Sequence, residues 1–496
     1  MVIKALSTQL LTTAKLVMKY IRIFLKSLTL LVLILAGYIL IILAIDYYKT
    51  DYLKLNNYPD SIKNSFVINN VNIVPMTKDT ILEHKSIFIK EGFIKKIAEA
   101  DSLHIDGYDI INGNNMFLSP GLIDMHIHLW DRYELGLYLA NGITAVRNLW
   151  GYPMHLRIKK DIENKNILGP MFFTSSPKLT SSDDPGDDKV QIKTADEAKK
   201  LVIEYKKRGF NFIKIYAGLN KELFKAITEQ AKVSNIKIVS HPNRNMPYLK
   251  QFNSQVVSME HMEEIVQEGL NFNLDTTKVK PIIQKFVATK TSFSPTLIGY
   301  YKIYEMLEQN GNGLNPDFLK YINPLIQITD SKVQYSRWKS EKTLNPSITE
   351  AIYKQHQFHL YLLKQMQKNG VNIICGTDAG IGITAPGYSL HEELNLYKEA
   401  GLSNYETLKT ATINPSKTQK EFKNMGTVEE GKIANLLLTK TNPLKDIETL
   451  KFPECVMVKG HRINQNTLSL FINKAINRNG LVTTAIRYAE YLFVEK

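Results

Sequence analysis

Between Pro120 and about Asn424 the chain repeats one pattern, in which short runs rich in Ile, Val and Phe alternate with longer stretches of helical period. The runs are GLIDMHIH, GITAVRNL, PMFFTSS, FNFIKIY, IKIVSH, QVVSMEH, TSFSPTL and VNIICGTD. TADEAKKLVIEYKKRG precedes the fourth and NKELFKAITEQAKVS follows it, each amphipathic. Parallel neighbours in a sheet need a crossover of a dozen or more residues, usually a helix. Eight such units fit an α/β fold, the parallel (β/α)8 or TIM barrel. The connection after the seventh run, Gly299 to about Lys368, is long and is read as helices that cover one face. SPKLTSSDDPGDD is dense in turn residues and reads as a solvated loop, with a substrate lid as the alternative.

The barrel, 119–424, is flanked by short strand-like runs on both sides. Residues 66–118 and 425–464 are read as two parts of one small β-sandwich, and 465–496 as a C-terminal helical extension. Residues 49–65 form a polar linker, and 1–48 a cytoplasmic stub with a transmembrane helix. The helix rests on Ser27 to Ile45, nineteen residues without a charge. At about 1.5 Å per residue it reaches about 28 Å, close to the hydrocarbon thickness of a bilayer. Lys4, Lys15, Lys19, Arg22 and Lys26 precede any acid, which keeps the N-terminus in the cytoplasm and sends the rest outward, into the periplasm in a Gram-negative cell. A cleaved signal peptide is the rival reading, with ILAIDYY a poor cleavage site, and a buried core helix is the third.

The formal charge is +14, from 62 Lys and Arg against 48 Asp and Glu, but it is spread. No basic cluster carries interleaved aromatics, which argues against a nucleic-acid partner. Cys375 and Cys455 form no CxxC, so neither a zinc knuckle nor a disulfide framework is indicated.

In such a barrel, chemistry sits at the carboxyl ends of the strands. His126 and His128 end the first run, and strand alternation puts both rings on one face. Lys214 lies inside the fourth, His241 ends the fifth, His261 the sixth and Asp378 the eighth. One strand-end histidine is ordinarily a satisfied polar residue, and Asp378 alone could open a turn. The same register on five strands outweighs those separate readings. Lys214, between Ile213 and Ile215, needs a partner, and an ion pair with Asp124 is its structural alternative.

The motifs LSPGLIDMHIHL, YLANGITAVRN, GFNFIKIYAGL, SMEH, CGTDAG, LHEELNLYKEAGLSNYETLKTATINPSK and MGTVEEGKIANLLLTKTNPLKDI together give the chain a strong resemblance to one family. It resembles the amidohydrolase superfamily, in its imidazolonepropionase-like and metal-dependent dipeptidase (prolidase-like) branch. The resemblance runs from about Phe66 to Asn464. It implies an enzyme that cleaves the C–N bonds of dipeptides, amides or cyclic amides through metal-activated hydroxide, and the apolar helix outside the resemblance would anchor it to a membrane. It implies His126, His128 and Asp378 as ligands of one divalent metal, and His241 and His261 as ligands of a second. Lys214 matches the lysine that is carboxylated to bridge the two. Zinc suits four imidazoles and two anionic oxygen groups, two ions per chain, or one if Lys214 stays unmodified. Asp378 is expected as general base and then acid, and Tyr216 as oxyanion donor or barrel-wall aromatic. Arg147 is expected to hold a substrate carboxylate or an inner acid, and His391 to touch substrate. Two positions depart from the family pattern: Asn435 stands where an aspartate is usual, and SHPNR is a loose form of the fifth-strand motif. A lactonase or phosphotriesterase and a non-catalytic binding barrel are the competing readings, and homo-oligomerisation stays open.

Overall fold

Seven of the eight runs become strands of one parallel sheet in a computed structural model, which describes residues 2–103, 106–309 and 316–496. They are Leu122–Ile127, Ile143–Asn148, Met171–Ser181, Phe212–Ile215, Lys237–Ser240, Val256–Glu260 and Ser292–Ser294. Helices cover the outside and side chains fill the inside. Strands buried on both faces read as near-continuous apolar runs, as these do. The eighth run makes only single parallel bridges, Phe293 to Ile373 on one side and Ile127 to Ala379 on the other. It still ties the ring together, because Met125 N donates to Cys375 O and Asp378 N to His126 O, both at 2.8 Å. The barrel sheet is therefore nearly closed.

Two glycines permit that approach. A Cβ on Gly380, at φ +110°, would lie 1.9 Å from His128 O, and one on Gly376 would lie 2.7 Å from His126 Cβ. The crossover helices carry local stop signals. Thr194 accepts from Glu197 N to open Ala195–Arg208, and Gly209, left-handed at φ 100°, closes it. That helix buries Ala198, Val202 and Tyr205, spaced to face the sheet. The long connection after the seventh strand is helical, as expected, and includes Leu297–Glu308, Lys332–Leu344 and Ile348–Lys368. The turn-rich SPKLTSSDDPGDD differs from expectation. Its first half extends the third strand to Ser181, and Lys189–Ile192 then pairs beside that strand in parallel.

The flanks meet in one hydrogen-bonded mixed sheet of eight strands. Phe117–Pro120 joins the halves, parallel to Phe66–Ile73 and antiparallel to Leu436–Thr439. Both halves bury Phe66, Ile68, Ile87, Leu118, Leu436 and Met457 in one core. Residues 465–496 form two helices, Gln465–Ile476 and Leu481–Glu495.

The chain divides into two units, Met1–Asp51 and Tyr52–Lys496. The first contains one helix, Val2–Lys49, long and apolar enough to cross a membrane. Its apolar side chains stand in the open, Leu33 at 63% and Leu40 at 66% exposure. A signal sequence satisfies the same criteria of length and composition.

Several histidines away from the strand ends are locked in the neutral form. His155 meets Leu129 O through Nε2 at 2.8 Å while Nδ1 faces Asn148 Nδ2 at 3.2 Å, and burial takes its pKa down to about 3. Burial takes His359 down to about 3 as well. A histidine depressed in the folded state costs stability in acid, because the unfolded chain takes up its proton first. The loss begins as pH falls through about 6.5, the unfolded value, and ends near the folded value. Each such residue should contribute up to about 1.4 kcal/mol per pH unit. Urea midpoints of the Tyr52–Lys496 unit should therefore fall between pH 6.5 and 4.5, less steeply in His359→Asn. A flat profile would contradict neutral burial.

Candidate active site

The first strand builds the floor and one wall. Asp124, His126 and His128 alternate on its inner face, at 0%, 1% and 9% exposure. Asp124 does not pair with Lys214. It accepts from Thr377 Oγ1 at 2.7 Å and from the backbone N of both Thr377 and His126 at 3.2 Å. Burial lifts its carboxyl to about 7. Lys214 Nζ is left without a hydrogen-bond partner at 1% exposure. Burial lowers its pKa from 10.5 to about 8.

The other strand ends bring the remaining groups together. Ring centroids of His126 and His128 lie 5.3 Å apart, of His126 and His261 4.8 Å, and of His241 and His261 4.8 Å. Asp378 Oδ1 lies 3.2 Å from His126 Nε2 and 2.8 Å from His128 Nε2. Ligand atoms of these three residues all fall within 4.8 Å of one another. Asp378 and His261 both adopt left-handed backbone, φ 55° and 73°. Such strain in non-glycine residues is held by its surroundings and clusters at functional sites. His261 N is fixed by Ser294 O at 2.8 Å, and its Nδ1 by Thr296 Oγ1 at 2.9 Å.

Burial pushes His128 down to about 4 and His241 and His261 well below the usual imidazole range. Burial works to raise Asp378, but His126 and His128 outweigh it and hold the carboxyl well below its usual value. Burial thus favours the neutral form of His128, His241 and His261, beside one carboxylate and one unpaired amine. His128 Nδ1, His241 Nδ1 and Lys214 Nζ have no hydrogen-bond partner, and His241 Nε2 faces Glu264 Oε1 at 3.2 Å. A buried polar atom left unpaired costs about 1–3 kcal/mol. So many in one place fit a cation bound by them, and this donor set suits a divalent ion.

A cavity of about 840 Å3 opens over these groups and also receives Tyr216, which stacks on His241 at 4.4 Å. Arg147 and His391 are not in it. Arg147 is wholly buried inside the barrel, donating to Met125 O at 2.6 Å, Ser258 Oγ at 2.9 Å and Glu260 Oε1 at 2.9 Å. It meets an inner acid and not a substrate carboxylate, because its guanidinium points across the barrel to the sixth strand. Glu260 Oε2 in turn lies 2.9 Å from His126 Nδ1 and orients that ring. His391 Nε2 meets Asn141 O at 2.9 Å in the turn that leads into the second strand, so the expected substrate contact is not made. Asn435 directly precedes Leu436–Thr439; its carbonyl accepts from Gly121 N at 2.9 Å, beside the start of the first barrel strand, and its side-chain amide lies against the sulfurs of Met171 and Met425 at 3.2 and 3.5 Å. A thioether accepts only weakly, and an amide can donate to it where a carboxylate cannot.

Sequence reasoning missed Glu260, Glu263, Glu264, Lys178, Trp150 and Tyr488. Three of these acids surround His261 in SMEHMEE, and alternation alone would have turned Glu260 inward. Glu263 and Glu264 line the cavity, and burial raises the pKa of both carboxyls. Lys178 Nζ sits 2.5 Å from Asp188 Oδ2 and 4.2 Å from the centre of the Trp150 ring.

Residues 117–463 match the profile of the Amidohydrolase family. The chain belongs to the amidohydrolase family. Among its relatives is ochratoxinase of Aspergillus niger, 24% identical over 404 residues that cover 68% of this chain and 73% of the relative. A 5-methylthioadenosine/S-adenosylhomocysteine deaminase of Caldanaerobacter subterraneus subsp. tengcongensis is 20% identical over 418 residues, 76% of this chain and 85% of that one. Among solved structures, bottromycin amidohydrolase superposes with a TM-score of 0.69 at 19% identity, covering 86% of this chain and 93% of its own. A Xaa-Pro dipeptidase with bound methionine gives 0.60 at 18% identity, covering 81% and 100%. At such identities the superpositions speak for the fold.

In this amidohydrolase, Arg147→Met removes one partner of a fully buried ion pair. It should cost about 3–5 kcal/mol of stability, read from chemical denaturation. A change in KM with stability intact would instead return Arg147 to the substrate.

Proposed function

We propose that this amidohydrolase is a membrane-anchored, metal-dependent enzyme that hydrolyses C–N bonds of small amides or peptides outside the cytoplasm. The carrying observation is Lys214, a buried amine without a partner, set among His126, His128, His241, His261 and Asp378 at the strand ends. His126, His128 and Asp378 would hold one divalent ion, zinc by donor preference, and His241 and His261 a second. When bound, such ions supply Lewis acidity toward the carbonyl and an acidified water.

Lys214 loses its proton more readily than a solvated lysine, so its free amine can capture carbon dioxide as a carbamate. That gives the cage a second anionic oxygen donor. Asp378, ionised and beside both histidines of the first strand, takes the water's proton and returns it to the leaving nitrogen. Burial raises the Tyr216 pKa, so its hydroxyl stays protonated and able to donate to the oxyanion. Glu260 and Arg147 keep the His126 ring in place beneath the reaction. Dipeptidase and amidohydrolase in the names of two structural relatives support carbon–nitrogen cleavage over lactone or phosphotriester hydrolysis.

Chelator-stripped protein should lose dipeptide hydrolysis and regain it with zinc. Asp378→Asn should lower kcat at least about 100-fold. Less than one divalent ion per chain after reconstitution would refute the metal centre. For the anchor, full-length protein should stay with membranes through a carbonate wash, and its intact mass should retain residues 27–45. A mature chain that lacks them would establish a cleaved signal instead.

A further inference from the structure

The family match ends at residue 463, yet the cavity does not. Tyr488, on the C-terminal helix Leu481–Glu495, lines it together with Trp130 and Trp150. Ring centroids lie 5.2 Å apart for Trp130 and Trp150, 6.0 Å for Trp150 and Tyr488, and 6.2 Å for Trp130 and Tyr488. Trp150 also lies 6.1 Å from the His128 ring, so this corner adjoins the proposed metal ligands.

We propose that the C-terminal helix completes the substrate cavity and that Tyr488, Trp130 and Trp150 form a specificity subsite for a planar aromatic group of the substrate. The inference rests on the reading of this cavity as the substrate site.

The helix is held as a fixed wall. Arg157 grips Glu490 with two hydrogen bonds of 2.7 and 2.6 Å, and Arg208 grips Glu495. Asn323, from the long helical connection, donates to Thr484 Oγ1 at 3.0 Å and to Asp131 Oδ2 at 2.7 Å. Thr484, Tyr488, Tyr491 and Glu495 follow the helical spacing of one face. Along that face the roles divide. Tyr491 is fully buried against Tyr152 at 5.4 Å and serves docking. Tyr488, one turn earlier, is only partly buried and opens onto the cavity. It packs on Tyr491 at 5.8 Å and bonds the Asp187 side chain, and its remaining surface faces the cavity that Asp187 also lines.

The ring planes favour an aromatic occupant. Trp130 and Trp150 meet at 89°, and Trp150 and Tyr488 at 81°. A planar ring laid against this corner would meet faces and edges together, the arrangement aromatic pairs prefer, beside Lys178 Nζ, which lies 4.2 Å from the Trp150 ring centre. Trp130 is pinned by its indole N–H to Gly380 O at 2.6 Å, so the corner is rigid before a ligand arrives.

The test uses the full-length, zinc-loaded protein in detergent and three probes: N-acetyl-L-phenylalanine, N-acetyl-L-alanine and N-acetyl-L-cyclohexylalanine. Stopped-flow tryptophan fluorescence reads binding before turnover. The phenyl probe should bind about tenfold more tightly than the alanyl probe. That ratio should fall toward one in Tyr488→Ala and persist in Tyr488→Phe. If thermal melting shows Tyr488→Ala to be misfolded, Tyr488→Leu carries the same comparison. Absence of the phenyl preference in the unmodified chain, an unchanged ratio in the alanine or leucine variant, or equal binding of the cyclohexyl probe would each overturn the subsite. Hydrolysis of dipeptides is scored separately. If the preference is present but hydrolysis is absent, the proposed function fails and the subsite stands; hydrolysis without the preference does the reverse.

Discussion

The barrel and its site both depend on how one buried carboxylate joins the first strand to the eighth segment. Asp124 takes hydrogen bonds from the Thr377 hydroxyl and from the backbone of Thr377 and His126. The eighth segment makes only single bridges to its neighbours, with backbone bonds such as His128 N to Ala379 O and Ile374 N to Phe293 O. The side-chain bridge reinforces those bonds, and Gly376 and Gly380 let the backbones close. Asp378 follows Thr377 directly. The closure of the sheet and the delivery of a carboxylate to His126 and His128 are therefore one structural event.

Charge inside the barrel is arranged in depth. Arg147 and Glu260 neutralise each other below the site, and Glu260 spends its second oxygen on His126. A buried ion pair is weak evidence for stability, since desolvation can exceed its Coulombic gain. Its use here is orientation: it fixes which nitrogen of His126 faces Asp378. Above that layer burial favours the neutral form of His128, His241 and His261, and Lys214 has no hydrogen-bond partner. The acids after His261 join this balance: Glu264 Oε1 lies 3.2 Å from His241 Nε2, and Glu263 Oε1 3.8 Å from His261 Nδ1.

The parts of the fold that follow periodicity were legible in the sequence. Alternation put His126 and His128 on one face, and an apolar neighbourhood marked Lys214 as unusual. Depth within the barrel was not legible. Alternation says that Arg147 points inward, but only the stagger between the second and sixth strands shows that it meets Glu260. His391 failed for a related reason, because its position depends on the path of the chain from Gly380 to Gly387. The eighth strand was readable as an apolar run, while its irregular geometry comes from glycine contacts that span the ring. Both flanks read as strands, but the pairing that merges them in one sheet is long-range.

The C-terminal helix shows the same limit at the scale of a whole element. Its amphipathic pattern announces a helix, yet nothing local to residues 481–495 names the surface it covers. The partners are Arg157, Arg208 and Asn323, each from a different crossover of the barrel. This division has a consequence for specificity. The ligand cage is held by strand ends, where a shift of backbone would disturb several groups at once. Tyr488 stands on an appended helix whose attachments lie outside that cage. Its side chain can change the shape of the cavity while the geometry of His126, His128 and Asp378 stays as the barrel sets it.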